Sequence, residues 1–228
     1  MAESSVSSAR GVIPLLRWIV LAAGLALALT ALFQIEGHRP DGVEVTRGVV
    51  GTTPITEWRQ DNAIATVIVA HGFAGSRQLM NAFSWTLARN GYDVLAFDFQ
   101  GHGTNPTPMS GDTDSIEGTT KLLVDETVAI MDTVGPAPAL LGHSMATDVL
   151  SRAALVRPAG PIVAVSAFSG AVTAEHPQNL LLIAGEWEGR LIDFGREAIQ
   201  QIDPGATEGD RVGQDVARMA LIAPRVEH

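Results

Sequence analysis

The chain has 228 residues, no cysteine, a formal charge of −10 and a pI near 4.9. That length suits one core of ordinary size. The acidity and an aromatic content of 5% argue against nucleic acid, which needs a basic stripe or a stacking surface. Without cysteine there is no disulfide framework, no thiolate metal site and no cysteine nucleophile.

Residues 1–11 read as a polar tail and residues 12–35 as a transmembrane anchor. The run 18–35 carries no charge and, at about 1.5 Å per helical residue, reaches roughly 27 Å. Arg17 can snorkel to the headgroups, with Trp18 at the interface. The expectation is a single-pass membrane protein of bacterial inner-membrane type. The alternative is a cleaved signal peptide and a secreted or periplasmic domain, with Ala26-Leu27-Ala28 as the small-residue site. Residues 36–42 form a polar hinge before one domain over 43–228.

Within that domain, 43–50 and 53–58 read as strands joined at Gly51, and 66–70 as a strand apolar on both faces. Leu79, Phe83 and Leu87 give 76–90 a helical spacing that ends at Gly91. A strand at 94–97 leads into a Gly/Pro/Thr-rich loop, and 116–134 is helical. Strands at 137–141 and 161–166 flank a helix at 144–156. A strand at 180–184, a helix at 190–202 and a last strand at 217–223 follow. Strand alternating with helix at this spacing predicts an α/β fold, a mostly parallel sheet with helices on both faces. About a dozen residues between the strands at 161–166 and 180–184 leave no room for an inserted cap domain.

The chemistry concentrates at strand ends. Gly142-His143-Ser144-Met145-Ala146 lies between a strand and a helix, the context of a nucleophile elbow, although Ala146 stands where the usual pattern has glycine. The plain alternative is Ser144 as an ordinary helix N-cap. Upstream, His71-Gly72-Phe73-Ala74-Gly75 follows a buried strand, and its turn can offer the Phe73 N–H, with that of Met145, to an oxyanion. His71 sits before the turn, where a loop-orienting role outweighs a catalytic one.

With Asp98-Phe99-Gln100-Gly101-His102-Gly103, these motifs resemble the α/β-hydrolase superfamily, in its esterase, monoacylglycerol-lipase and serine-aminopeptidase-like branch. The similarity runs from Val43 to the C-terminus. It implies that Gly72, Asp98 and His102, with His71, brace loops, and that the triad follows in the order Ser, acid, His. Glu188, in Gly185-Glu186-Trp187-Glu188, occupies the acid's place, with Glu186 and Asp193 as rivals. Of the histidines at 38, 71, 102, 143, 176 and 228, only His228 follows the acid; the other reading makes it a tail residue. The fold usually adds a helix after this histidine, so the native chain is expected to continue.

The expected activity is hydrolysis of a carboxylic ester, lipid-like given the anchor, through an acyl-enzyme; an amide or peptide bond is the alternative substrate. No cofactor and no metal are expected, since neither a metal-ligand spacing nor a phosphate-loop pattern occurs. The competing reading is a membrane-tethered domain that keeps the fold for binding and has lost catalysis.

Overall fold

The computed structural model describes residues 9–37, 42–113, 115–213 and 218–222. Two compact units divide the chain, Met1–Asp41 and Gly42–His228.

In the first unit, α1 (Ala9–Gly37) is a helix. The described side chains, residues 16–31, are all exposed, among them Trp18, Leu21, Leu25 and Leu27. Among the described residues no helix is long and apolar enough to cross a membrane. Residues 12–35, expected as a transmembrane anchor, are helical, and the described residues show no membrane span.

Among the described residues, the second unit is built on a nine-stranded sheet. In chain order its strands are β1 (Val43–Val50), β2 (Thr53–Gln60), β3 (Thr66–Ala70), β4 (Asp93–Phe97), β5 (Ala139–His143), β6 (Ile162–Val165), β7 (Asn179–Ile183), β8 (Arg211–Val212) and β9 (Arg218–Ile222). Their spatial order is β1-β2-β4-β3-β5-β6-β7-β9-β8. The pairs from β4 through β9 are parallel, while β1, β2 and β8 join antiparallel at the two sides.

Both faces of the central strands are buried, which is why they read as unbroken apolar runs. Ile68 and Ala70 of β3 point into one core with Leu95, Phe97, Leu140 and Leu182. Val67 and Val69, on the opposite pleat, join Val94, Ala96 and Trp58 in a second. Helices α3 (Lys121–Met131), α4 (Met145–Val156) and α5 (Gly189–Gln200) supply Ile130, Leu150 and Ile199 to the first core; α2 (Asn81–Arg89) supplies Ala88 to the second.

Two helices start later than their apolar spacing predicts. Residues 76–81 form successive four-residue turns instead of the first turns of α2. The Arg77 N–H there donates to the Asp98 carboxylate at 2.7 Å, an acceptor no helix provides. The helix expected from 116 opens with a π-helical turn, Ile116–Thr120, kinked at Gly118. A Cβ on Gly118 would lie 2.1 Å from the Asp112 carbonyl, so the returning loop fills the space an α-helical start needs. Strand β8 was not legible from the sequence.

Candidate active site

Strand β5 ends at His143, and the backbone reverses at Ser144 with φ +52° and ψ −120° before α4 begins at Met145. A side chain held at positive φ costs about 1–3 kcal/mol, a cost that surrounding contacts must offset. Several do so. The Ser144 N–H donates to the Val165 carbonyl of β6 at 2.9 Å, and its carbonyl accepts the Thr147 N–H at 2.8 Å. The buried Thr147 hydroxyl lies 2.7 Å from the Ser144 carbonyl and 2.8 Å from that of Phe168, and accepts the Phe168 N–H at 3.1 Å. The Ser144 side chain makes no cap hydrogen bond to the helix and is half-buried, so an ordinary N-cap does not describe it. Ala146 is fully buried. The close approach falls on Gly142 instead, where a Cβ would come within 2.8 Å of Leu150 and 3.2 Å of the Ala146 backbone. Alanine at 146 is thus accommodated because 142 is bare.

The turn after β3 lies against this elbow. A Cβ on Gly72 would meet His143 Nδ1 at 2.9 Å and Ser144 Cβ at 3.1 Å. The turn closes by the Gly75 N–H donating to the Gly72 carbonyl at 3.0 Å. His71 is buried, and its two nitrogens have separate tasks. Nε2 accepts the Phe99 N–H at 3.2 Å, which leaves Nδ1–H to donate to the Gly72 carbonyl at 2.7 Å. Burial pushes the His71 pKa down, outweighing the Gly72 hydrogen bond, so the ring is neutral as this tautomer requires. Among the described residues neither the Phe73 nor the Met145 N–H is matched to an acceptor. The Phe73 ring is exposed and meets the buried His102 edge-on, with centroids 5.5 Å apart.

Asp98, at the end of β4, is completely buried and collects donors from two segments. It accepts the Arg77 N–H and guanidinium, the Thr104 N–H at 2.8 Å and the Thr104 hydroxyl at 3.0 Å. Gly103, at φ +54°, is required there, since a Cβ would fall on the Asp98 carboxylate. His102 Nδ1 lies 2.9 Å from the Gln100 carbonyl.

Two residues of this network escaped the sequence reading. Arg77 also donates to Thr56 at 3.0 Å, tying the turn to β2. Glu126 on α3 accepts the Gln100 N–H at 3.0 Å, the Asn105 amide at 3.0 Å and the Thr53 hydroxyl. A carboxylate beside the buried Leu123, Thr127 and Ile130 face was the available signal.

After β7, the Glu188 carboxylate accepts the Gly185 N–H at 2.7 Å and the Ser166 hydroxyl at 3.0 Å. Ser166 terminates β6, again at positive φ, with its N–H on the Ile183 carbonyl at 2.7 Å. Parallel strands β5, β6 and β7 therefore bring Ser144, Ser166 and Glu188 to one edge of the sheet. At about 4.8 Å per strand, the adjoining ends of β5 and β7 are roughly 10 Å apart. Asp193 pairs with Arg196 at 2.8 Å on the exposed side of α5, and Glu186 is exposed. His228 lies outside the described residues, as do 214–217 and 223–227. His176 belongs elsewhere, with Nε2 2.9 Å from the Ser151 carbonyl.

A cleft of about 230 Å³ opens beside the elbow, between the His71–Gly75 turn and α2, lined in part by Leu79, Met80, Phe83 and His143. A second depression, of about 430 Å³, lies where β6 and β7 begin, at the opposite edge of the sheet. Among the described residues no cluster of His, Asp or Glu could hold a metal ion.

The family described as serine aminopeptidase, S33, matches residues 61–223. No curated protein is significantly similar to the chain. A CIB-like hydrolase from Thermoplasma acidophilum superposes with a TM-score of 0.56 at 17% identity, covering 81% of this chain and 89% of that one. TT1662 from Thermus thermophilus gives 0.55 at 17%, covering 80% and 88%. An epoxide hydrolase from Vigna radiata gives 0.45 at 22%, covering 56% of this chain and 41% of its own length. The chain thus spans about two fifths of that relative, and identities this low speak to the fold alone.

Proposed function

The chain belongs to the serine aminopeptidase S33 family of the α/β-hydrolase superfamily, and from that premise we propose that it is a serine hydrolase cleaving a carboxylic ester through an acyl-enzyme. The observation that carries this reading is the strained, half-buried Ser144 packed against the Gly72 turn. In the mechanism, His228 accepts the Ser144 hydroxyl proton as Oγ attacks the substrate carbonyl carbon. The Phe73 and Met145 N–H groups receive the oxyanion. Collapse breaks the ester C–O bond, and the imidazolium returns its proton to the departing alcohol. Water then repeats the sequence on the acyl-Ser144 and releases the acid. Glu188 holds the imidazole tautomer. Strand β9 runs parallel to β7 and ends at Ile222 on the Ser144 edge.

Labelling with a fluorophosphonate tests the nucleophile: one adduct, lost in Ser144→Ala, is expected, and labelling that persists in that variant would refute it. The uncharged run 18–35 supports tethering to a membrane, with a lipid-like ester as substrate. Retention in the pellet through high-salt and carbonate washing is the corresponding check, and release by either wash overturns the tether.

A further inference from the structure

We infer that the cleft between the His71–Gly75 turn and α2 is the acyl pocket of this site, and that it takes a short, uncharged acyl chain, not an aminoacyl group. The inference rests on the serine-hydrolase reading above.

The side of the sheet decides which half of the ester goes where. Glu188 lies beyond β6 and β7 as seen from Ser144, and β9 beyond those. The leaving alcohol must receive its proton from the base, so it departs toward that side. The group that stays bonded to the carbonyl carbon then points the other way, toward β3. There the cleft begins directly beside the oxyanion turn, with Gly72 and Phe73 in its wall.

Its chemistry suits hydrocarbon. Met80 forms a buried floor, while Leu79, Phe83 and the Phe73 ring are exposed apolar walls that a bound chain would cover. Among the described lining residues no carboxylate offers a partner to an α-ammonium group, and the buried His71 is kept neutral. An ammonium placed there would be desolvated without compensation. Size sets a second limit. About 230 Å³ is below the usual range for drug-sized ligands and, at about 30 Å³ per water-sized unit, holds roughly seven heavy atoms.

The test uses the full-length protein and p-nitrophenyl esters from acetate to decanoate. The kcat/KM should rise to roughly the hexanoate, by up to about fourfold per buried methylene, and fall at least tenfold by decanoate. Phe83→Ala should move the optimum up by two or more carbons, Phe83→Trp should move it to butyrate or below, and Leu155→Ala, on exposed α4 surface, should keep the parent profile. The isobutyryl ester should exceed its isostere, the alanyl ester, by tenfold or more. An optimum at decanoate, a profile unmoved by both Phe83 variants, or preference for the alanyl ester overturns the acyl pocket while leaving the hydrolase intact. Failure of a fluorophosphonate to label Ser144 overturns both readings together.

Discussion

Replacing Gly72 by alanine probes the contact on which the site depends. The new methyl would sit 2.9 Å from His143 Nδ1, 3.1 Å from Ser144 Cβ and 3.2 Å from the His143 carbonyl, where ordinary contact begins at 3.4 Å. The deficit of about half an ångström falls on the His143 ring, and smaller ones of about 0.2–0.3 Å on the His143 carbonyl and the nucleophile's own Cβ, neither of which is a flexible tip. The turn must lift away from the elbow, and the Phe73 N–H moves with it. A misplacement of about 1 Å costs up to about 10²-fold in rate, and complete loss of an oxyanion donor costs about 10²–10³. For half an ångström we expect a fall in kcat of roughly 10- to 100-fold with little change in KM, since the donor acts on charge that exists only in the transition state. Stability should drop by only about 1–3 kcal/mol, the usual range for overpacking. Steady-state hydrolysis of p-nitrophenyl butyrate, with a thermal melt of each protein, separates the two effects. A folded Gly72→Ala protein with parental kcat would refute the placement of the oxyanion donors.

Three other perturbations have worked outcomes. Glu188→Gln should lower kcat by about 10³–10⁴ through loss of the imidazole's orienting carboxylate, whereas Asp193→Asn, removing only a surface pair, should change it less than twofold; kinetics on both variants decide this. Arg77→Met leaves the buried Asp98 carboxylate without its cation, so a loss of about 3–5 kcal/mol and a Tm drop of roughly 6–20 °C are expected by calorimetry. His71 has a folded pKa below its ordinary value, so the unfolded chain binds more protons as pH falls through about 6.5. Its contribution to stability is fully present above that pH and is lost on acidification toward the folded pKa. His71→Asn should therefore flatten the stability–pH curve below about pH 6.5 by up to about 1.4 kcal/mol per pH unit, read from denaturant melts.

The alternation of strand and helix, the elbow at Ser144 and the turn at Gly72 were legible because each is written in a few consecutive residues. A strand buried on both faces needs an unbroken apolar run such as 66–70, and a sharp strand-to-helix reversal needs a small residue at 142. What depends on groups meeting from distant parts of the chain was not legible. The Arg77–Asp98 pair moves the start of α2, since a single buried carboxylate outcompetes helix spacing for the Arg77 N–H. Glu126 joins three segments that share no pattern in the sequence. Glu188 stood apart from Glu186 and Asp193 only by its place three residues after Gly185. Their surroundings come from the tertiary structure: Ser166, twenty-two residues away from Glu188, ends the neighbouring strand with its hydroxyl on that carboxylate, while Asp193 faces outward beside Arg196. Short-range sterics and burial thus determined the elements and the turns, whereas the partner of each charge was decided by the order of strands in the sheet, which juxtaposes residues that the sequence keeps apart.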